Sequence, residues 1–430
     1  MVKSKFSRCF LMACVLLLVF SFISCSKKQE AGTAAAGTSG PTQITVWEMY
    51  GPSREMVDWA DKFNKDHSDI NVNNEFIPSH NELMQKVQVS AAAGSGLPNV
   101  ILVDMFYAPV VNELVGLVDL NPYMASDPSV SADDFYDNLR NFSNVNGKQI
   151  SLHGYANNIL LYYNKQHFRE AGLDPEKPPR TWDDLIQYAQ RLTKPDQWGF
   201  LFDFTYNTYY EIYSWEYQVF VWQNGGDMWD SNWQPKFNTP EGVEALQFMM
   251  DVLQKYNIST LSPPESAFDQ GKASMLLSGS WEGTDHEANL SADLGAAPIP
   301  YSKIPASNTG GEHWMILPST KEKEDASWKY VSFMVSEPVV VRMCEVSGMV
   351  PTRKSIAASA ALQAVASKST TMQASMEIMN HSRMRAASPR YAVASEALSV
   401  PIIQALYGRM SAQDAVTAAY DAFYKAINGL

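Results

Sequence analysis

From Gln43 onward, short apolar runs alternate with amphipathic stretches along this 430-residue chain. The runs ITVWEMY (44–50) and NVILVDM (99–105) read as buried parallel strands, whereas Ser53 to His67 carries Met56, Ala60 and Phe63 at helical spacing. Further strands are expected at ILLYYNK (159–165), ASMLLSG (273–279) and HWMILP (313–318), and the chain after Trp328 reads as mostly helical. Helix starts are written plainly. Thr181-Trp182-Asp183-Asp184 is a capping box ahead of Leu185, Ala189 and Leu192; Thr239-Pro240-Glu241 opens a helix with Val243, Leu246, Met250 and Leu253 on one face; Ser411 to Asp414 opens the last one. The alternation predicts an α/β protein without solenoid repeats.

The amino terminus breaks this pattern. Lys3, Lys5 and Arg8 precede an apolar run from Cys9 to Ile23, too short for a comfortable spanning helix and of the form of a secretion signal. Ser24-Cys25 then leads into SKKQEAGTAAAGTSGPT, the composition of a flexible tether. This resembles a bacterial lipobox, which implies a signal at 1–24, a tether at 25–41 and acylation of Cys25, although Phe22 and Ile23 depart from the usual pattern. Ordinary signal cleavage with an unmodified Cys25 is the alternative. Acyl chains add about 0.8 kcal/mol per buried methylene, so two or three would hold the protein on a membrane.

Composition changes the picture in three ways. With 46% hydrophobic and 18% charged residues the chain is globular. Cys9 and Cys14 leave with the signal, so Cys344 stands without a partner for an internal disulfide. The net charge of −13 excludes nucleic acid as a partner.

Catalytic motifs are weak. Seven histidines include no HExxH and no cluster with cysteine, Glu282 and His286 form a lone helical pair, and SGSWEG (278–283) fails the G-x-S-x-G spacing. AAAGSG (91–96) has no lysine to reach a phosphate. What departs from background is aromatic density: 14 of the 36 residues from Trp198 to Trp233 are Trp, Tyr or Phe, interleaved with Asp203, Asn207, Glu211, Gln223, Asn224 and Asp227. A core would use more Leu, Ile and Val. Tyr and Trp combine an apolar face with a polar edge, and ionised Asp and Glu are strong acceptors, which together suit a carbohydrate. The competing explanation for any one of these aromatics is ordinary packing. Gly225 and Gly226 allow a ligand or a helix close to the backbone after Trp222.

The order of motifs resembles the family 1 extracellular solute-binding lipoproteins of ABC sugar importers, which include maltose and glycerol-phosphate binding members. The resemblance spans about residues 42–428 and rests on ITVWEMYG, AAAGSGLPNVILVD, NNILLYYNKQHFREAGLDPEKPPRTWDDLIQYAQRL, WQNGGDMWD, FNTPEGVEALQFMMDVL, FDQGKASMLLSGSW, the GGEHWMILPSTKEKEDASWKYVSFMVSEPVVVRM segment and GMVPTRKS. It implies a periplasmic binding protein-like type II fold, two α/β lobes with a ligand cleft between them: 42–155 with 279–334, and 156–278 with 335–430.

The same resemblance implies ligand contacts from Glu48, Met49 and Tyr50; from Asp104 and Tyr107; from Tyr155 and Asn157; and from Tyr206, Trp222, Gly225, Gly226 and Asp227. Ser280, Trp281 and Glu282, then Gly311, Glu312, His313 and Trp314, and finally Arg353 complete the set. A scarcity of basic cleft residues points to a neutral mono- or oligosaccharide rather than a phosphate ester. The expected role is a monomeric, non-enzymatic receptor, without cofactor or metal, that hands its ligand to ABC permease subunits and their ATPase on the periplasmic or extracellular face of a membrane. A secreted glycoside hydrolase or lyase competes with this reading, since carboxylates and aromatics also line catalytic clefts. A surface adhesin or chemoreceptor partner on the same fold is a third.

Overall fold

Side-chain alternation decides which face each strand buries, and two main cores result among the described residues, with smaller apolar clusters beside them. A computed structural model describes residues 40–49, 55–205 and 210–430. The expected signal, Cys25, all but the last two tether residues, Tyr50 and Tyr206 lie outside the described residues. Among the described residues ten strands follow in chain order: β1 (Thr42–Glu48), β2 (Ile70–Phe76), β3 (Val100–Asp104), β4 (Asn144–Val145), β5 (Lys148–Gln149), β6 (Leu152–Asn164), β7 (Met275–Gly279), β8 (Leu294–Ala297), β9 (Ser307–Ile316) and β10 (Ser382–Met384).

The main sheet runs β2-β1-β3-β9-β6-β7, with β10 paired to β9 and β8 to β6. β1 is parallel to β2 and β3, as the apolar runs predicted; β9 enters antiparallel to β3 with Asp104 opposite Glu312. Ile44, Val46, Val100, Leu102, Trp314 and Ile316 pack one core with Phe63 and Tyr330. Ile101 and Val103 face the other, larger core, which runs on through Leu161, Phe202, Val219 and Leu398.

β6 joins the two regions. All thirteen of its residues are buried; the first half pairs with β9 and the second with β7 and β8. It begins seven residues before the apolar run that announced it, because Leu152–Asn158 is rich in Gly and Asn and reads as loop. Tertiary pairing with β9 overrides that local preference. The pairing needs glycine on the partner: Gly311 sits at φ +128°, and a Cβ there would lie 2.0 Å from the Tyr155 carbonyl oxygen.

The expected caps are present. Thr181 and Asp184 form both bonds of the capping box at the start of Trp182–Leu192, Thr239 caps Pro240–Met250, and Ser411 caps Ala412–Ile427. The helix Tyr210–Gln223 is buried nearly all round, its polar Glu211, Ser214, Glu216, Gln218 and Gln223 included, and is packed by Tyr391–Leu406, which in turn lies against Ala412–Ile427. Pro41–Leu430 forms one compact unit, and no helix among the described residues is long and apolar enough to cross a membrane.

Candidate functional site

Where the strands end, their side chains meet a helix from the aromatic segment, and a cavity of about 460 Å³ opens between them. Asp104 comes from the end of β3 and Phe106 from the turn that follows; the Asp104 carboxylate accepts from the Phe106 N–H at 3.0 Å, which fixes that turn. Asn157 comes from β6, Glu312 from β9, and Trp281 from the turn Ser280–Glu282 after β7. Glu211, Ile212 and Trp215 lie on the Tyr210–Gln223 helix; Ser79, His80 and Asn81 surround the start of His80–Ala93; Met349 and Arg385 complete the wall.

Arg385 organises the polar half. It is 2% exposed, donates from Nη2 to Asp104 at 2.6 Å and from Nη1 to Glu211 at 3.2 Å, and lies 4.8 Å from the Phe106 ring centre and 5.4 Å from that of Trp215. Burial opposes its charge, but Asp104 and Glu211 outweigh it and hold the guanidinium protonated. Burial also pushes the Glu211 carboxyl upward against the pull of Arg385. It depresses His80, so that this ring is neutral at pH 7, with Asp104 pulling the other way.

The apolar half is aromatic. Trp215 and Trp281 are nearly parallel, 9° apart with ring centres at 5.4 Å, and Trp281 packs against both cores. Gly310 makes room for the cluster: a Cβ there would come within 2.5 Å of Asn157 Oδ1 and 3.2 Å of Arg385 Nη2. His80 Nε2, Asn157 Oδ1, Trp215 Nε1 and Arg385 Nε are buried with no hydrogen-bond partner among the described residues. The cavity therefore offers both donors and acceptors beside two indole faces.

Of the residues singled out in the sequence, Asp104, Asn157, Trp281 and Glu312 line this cavity. The other expected contacts among the described residues are placed elsewhere for identifiable reasons. Glu48 is fully buried and accepts from Asn74 Nδ2 at 3.0 Å. Tyr107 lies behind the wall against Phe106, which takes the position facing the space. Tyr155 is core, Trp222 is 2% exposed and meets Trp229 edge-on, and Trp314 is fully buried against Tyr330. His313 is enclosed with His153, and Ser151 bonds its Nδ1 at 2.8 Å.

Gly225 and Gly226 end the Tyr210–Gln223 helix, their N–H groups returning to the carbonyls of Trp222 and Val221. Asp227 bridges Lys236 and Arg383 at the surface. Gly311 serves strand approach, and Arg353 is a clamp, donating to Asp134 at 2.8 Å and to the carbonyls of Val335 and Ser129. Glu282 lines a second cavity.

His80, Asn81, Phe106, Glu211, Ile212, Trp215, Met349 and Arg385 were not identified from the sequence as contacts. Glu211 and Trp215 carried a usable signal, being four apart within the aromatic run and so on one helix face. Arg385 carried none, because its partner Asp104 is 281 positions away. It is the one lysine or arginine lining the cavity among the described residues.

Among known proteins, residues 50–341 match the bacterial extracellular solute-binding protein family. The arabinooligosaccharide-binding protein of Bacillus subtilis (strain 168) is 23% identical over 326 residues, covering 71% of this chain and 70% of that protein. The sn-glycerol-3-phosphate-binding periplasmic protein of Pectobacterium atrosepticum is 24% identical over 281 residues, covering 62% of each, so that the match spans just under two thirds of that relative. The crystal structure of a cyclic alpha-maltosyl-1,6-maltose binding protein from Arthrobacter globiformis is similar with a TM-score of 0.82 and 30% identity, covering 91% of this chain and 100% of that one. Maltose-bound MalE3 of T. maritima shares the fold with a TM-score of 0.76 at 22% identity, covering 89% of this chain and 99% of the other. The chain belongs to the bacterial extracellular solute-binding protein family, and its fold is the two-lobed α/β arrangement of type II periplasmic binding proteins.

Proposed function

We propose that this protein is the substrate-binding component of an ABC importer, that its ligand is a neutral mono- or oligosaccharide, and that the ligand sits in the cavity lined by Trp281, Trp215, Asp104, Glu211 and Arg385. The observation that carries this reading is the joining of two indole faces to a buried set of donors and acceptors. A sugar ring presents C–H faces to stack and hydroxyls that both donate and accept, and an unmade buried hydrogen bond costs about 1–3 kcal/mol.

Arg385 does not make this a phosphate site. Its charge is already matched by Asp104 and Glu211, and Glu312 adds a further carboxylate to the lining. A phosphate dianion would meet an acidic cavity. The oligosaccharide-binding relatives support the same reading.

In this proposal the lobes are 42–155 with 279–334 and 156–278 with 335–430, and the cavity closes around sugar because the closed state alone touches it from both sides. The protein would act as a monomer held by Cys25 on the outer face of a membrane, passing ligand to permease subunits and their ATPase.

The test is a thermal-shift and calorimetric screen of residues 26–430 against neutral sugars, sugar phosphates and small peptides. A ligand at a hundred times its dissociation constant adds about 2.7 kcal/mol and moves the midpoint by several degrees. A response confined to phosphates or peptides would discard the carbohydrate. Oligosaccharide recovered shortened from the complex would replace the receptor with a hydrolase.

A further inference from the structure

A second cavity, of about 450 Å³, lies beyond the turn that carries Trp281 and shares no lining residue with the first. Its titratable lining is one-sided: four carboxylates, Asp203, Glu265, Asp269 and Glu282, with a single histidine and no lysine or arginine. At its base Asp203 is 7% exposed; Ser278 donates to Oδ1 at 3.3 Å, while Oδ2 is buried with no hydrogen-bond partner among the described residues. Behind it on the Tyr210–Gln223 helix lies Glu216, fully buried, which accepts from the Phe204 N–H at 3.1 Å. An uncompensated buried carboxylate is expensive, and this one has further acids before and behind it.

His286, 5% exposed, adds a second observation. Its Nδ1 lies 2.7 Å from Asp269 Oδ1; a carboxylate only accepts, so Nδ1 carries a proton and Nε2 is the ring's second polar atom. That Nε2 is also buried with no partner among the described residues. The unmatched carboxylate oxygen of this cavity is an acceptor, whereas the unmatched atoms of the first cavity include both kinds.

We propose that the second cavity is a binding site for a small organic ammonium, a protonated amine whose N–H groups meet Asp203 Oδ2 and the Glu282 carboxylate and whose carbon chain lies along Phe268 and Leu276. A metal ion fits less well, because no group of three or more His, Cys, Asp or Glu among the described residues gathers with the geometry to hold one. A neutral polyol fits less well too, since its hydroxyl oxygens would find few donors here. Burial and the charge of Glu282 raise the Asp203 carboxyl to about 7, so a bound cation would also draw out its proton.

The experiment is equilibrium dialysis and calorimetry of the full chain with 1,4-diaminobutane, with 1,4-butanediol as the neutral counterpart, at low salt and about pH 8, where Asp203 is ionised. The expected result is saturable one-site binding of the diamine, no binding of the diol, and affinity lowered at least about tenfold by Asp203→Asn and several-fold by Glu282→Gln. Asp421→Asn, an exposed acid elsewhere, should change nothing. Glu282 is partly exposed, so its variant carries the test if Asp203→Asn does not fold. Absence of saturable diamine binding, equal binding of the diol, or affinity unchanged in both cavity variants would overturn the proposal. Since the sugar screen reads the other cavity, neither result decides the other.

Discussion

Arg385 keeps its charge at 2% exposure because Asp104 and Glu211 grip it from two sides, and that arrangement sets what a single substitution does. Asp104→Asn leaves the guanidinium with one carboxylate, and half-broken buried pairs cost about 3–5 kcal/mol. We therefore expect this variant both to lose sugar affinity by at least about tenfold and to melt measurably lower without ligand, the second effect appearing in calorimetry of the unliganded protein. Trp281→Ala should separate the two effects. It removes one face of the indole pair while leaving the ion pairs intact, so titration should show binding weakened at least about tenfold, or about 1.4 kcal/mol, with a smaller change in apo stability. Equal apo melting for Asp104→Asn and wild type would mean that Arg385 does not depend on this partner.

β9 is the element on which the site turns. It places Glu312 opposite Asp104 on one edge and meets β6 through two glycines on the other. At Gly311 a Cβ would strike backbone at 2.0 Å and the φ of +128° disfavours any side chain, so Gly311→Ala should destabilise by about 3 kcal/mol or more in chemical denaturation. Thr181→Ala loses the capping-box bond to the Asp184 N–H at 3.1 Å, far from the cavity; about 1 kcal/mol of stability should go with sugar affinity unchanged. The contrast between a strand glycine and a helix cap separates residues that build the cleft from those that build its scaffold.

Across the whole molecule, buried titratable groups give stability a pH dependence of mixed sign. Asp203 is raised to about 7 in the folded chain and titrates near 3.9 when unfolded. Between those values the folded state holds a proton that the unfolded state has released, so this group's contribution falls by about 1.4 kcal/mol per unit as pH rises and is flat above 7. Asp203→Asn should therefore be more stable than wild type at pH 7–8, the difference shrinking to nothing near pH 4 in parallel melts. His153, lowered to about 3 by burial despite its bond to the Leu139 carbonyl, acts in the opposite sense: its unfolded form takes up a proton first, so stability is lost as pH falls below about 6.5. His153→Gln should flatten the acid limb of the same curve.

The sequence by itself determined the elements whose information is local. The apolar runs at β1 and β3, the capping box at Thr181 and the starts at Thr239 and Ser411 stand where period and cap chemistry put them, because these signals act within a few residues. The aromatic run from Trp198 to Trp233 was legible as unusual, yet which rings face a ligand was not. Trp215 lines the cavity and Trp222 the core, though both are tryptophans on one helix seven residues apart. Glu211 marks the face that Trp215 shares, but a helix buried on all sides gives its own sequence no way to tell a cavity from a core. Tertiary structure alone decided the partnership of Arg385 with Asp104 and Glu211, the extension of β6 through a Gly- and Asn-rich stretch, and the gathering of four acids around the second cavity. Each depends on residues remote in the chain, and a charge or a polar strand becomes stable in the interior only when the fold delivers its partner.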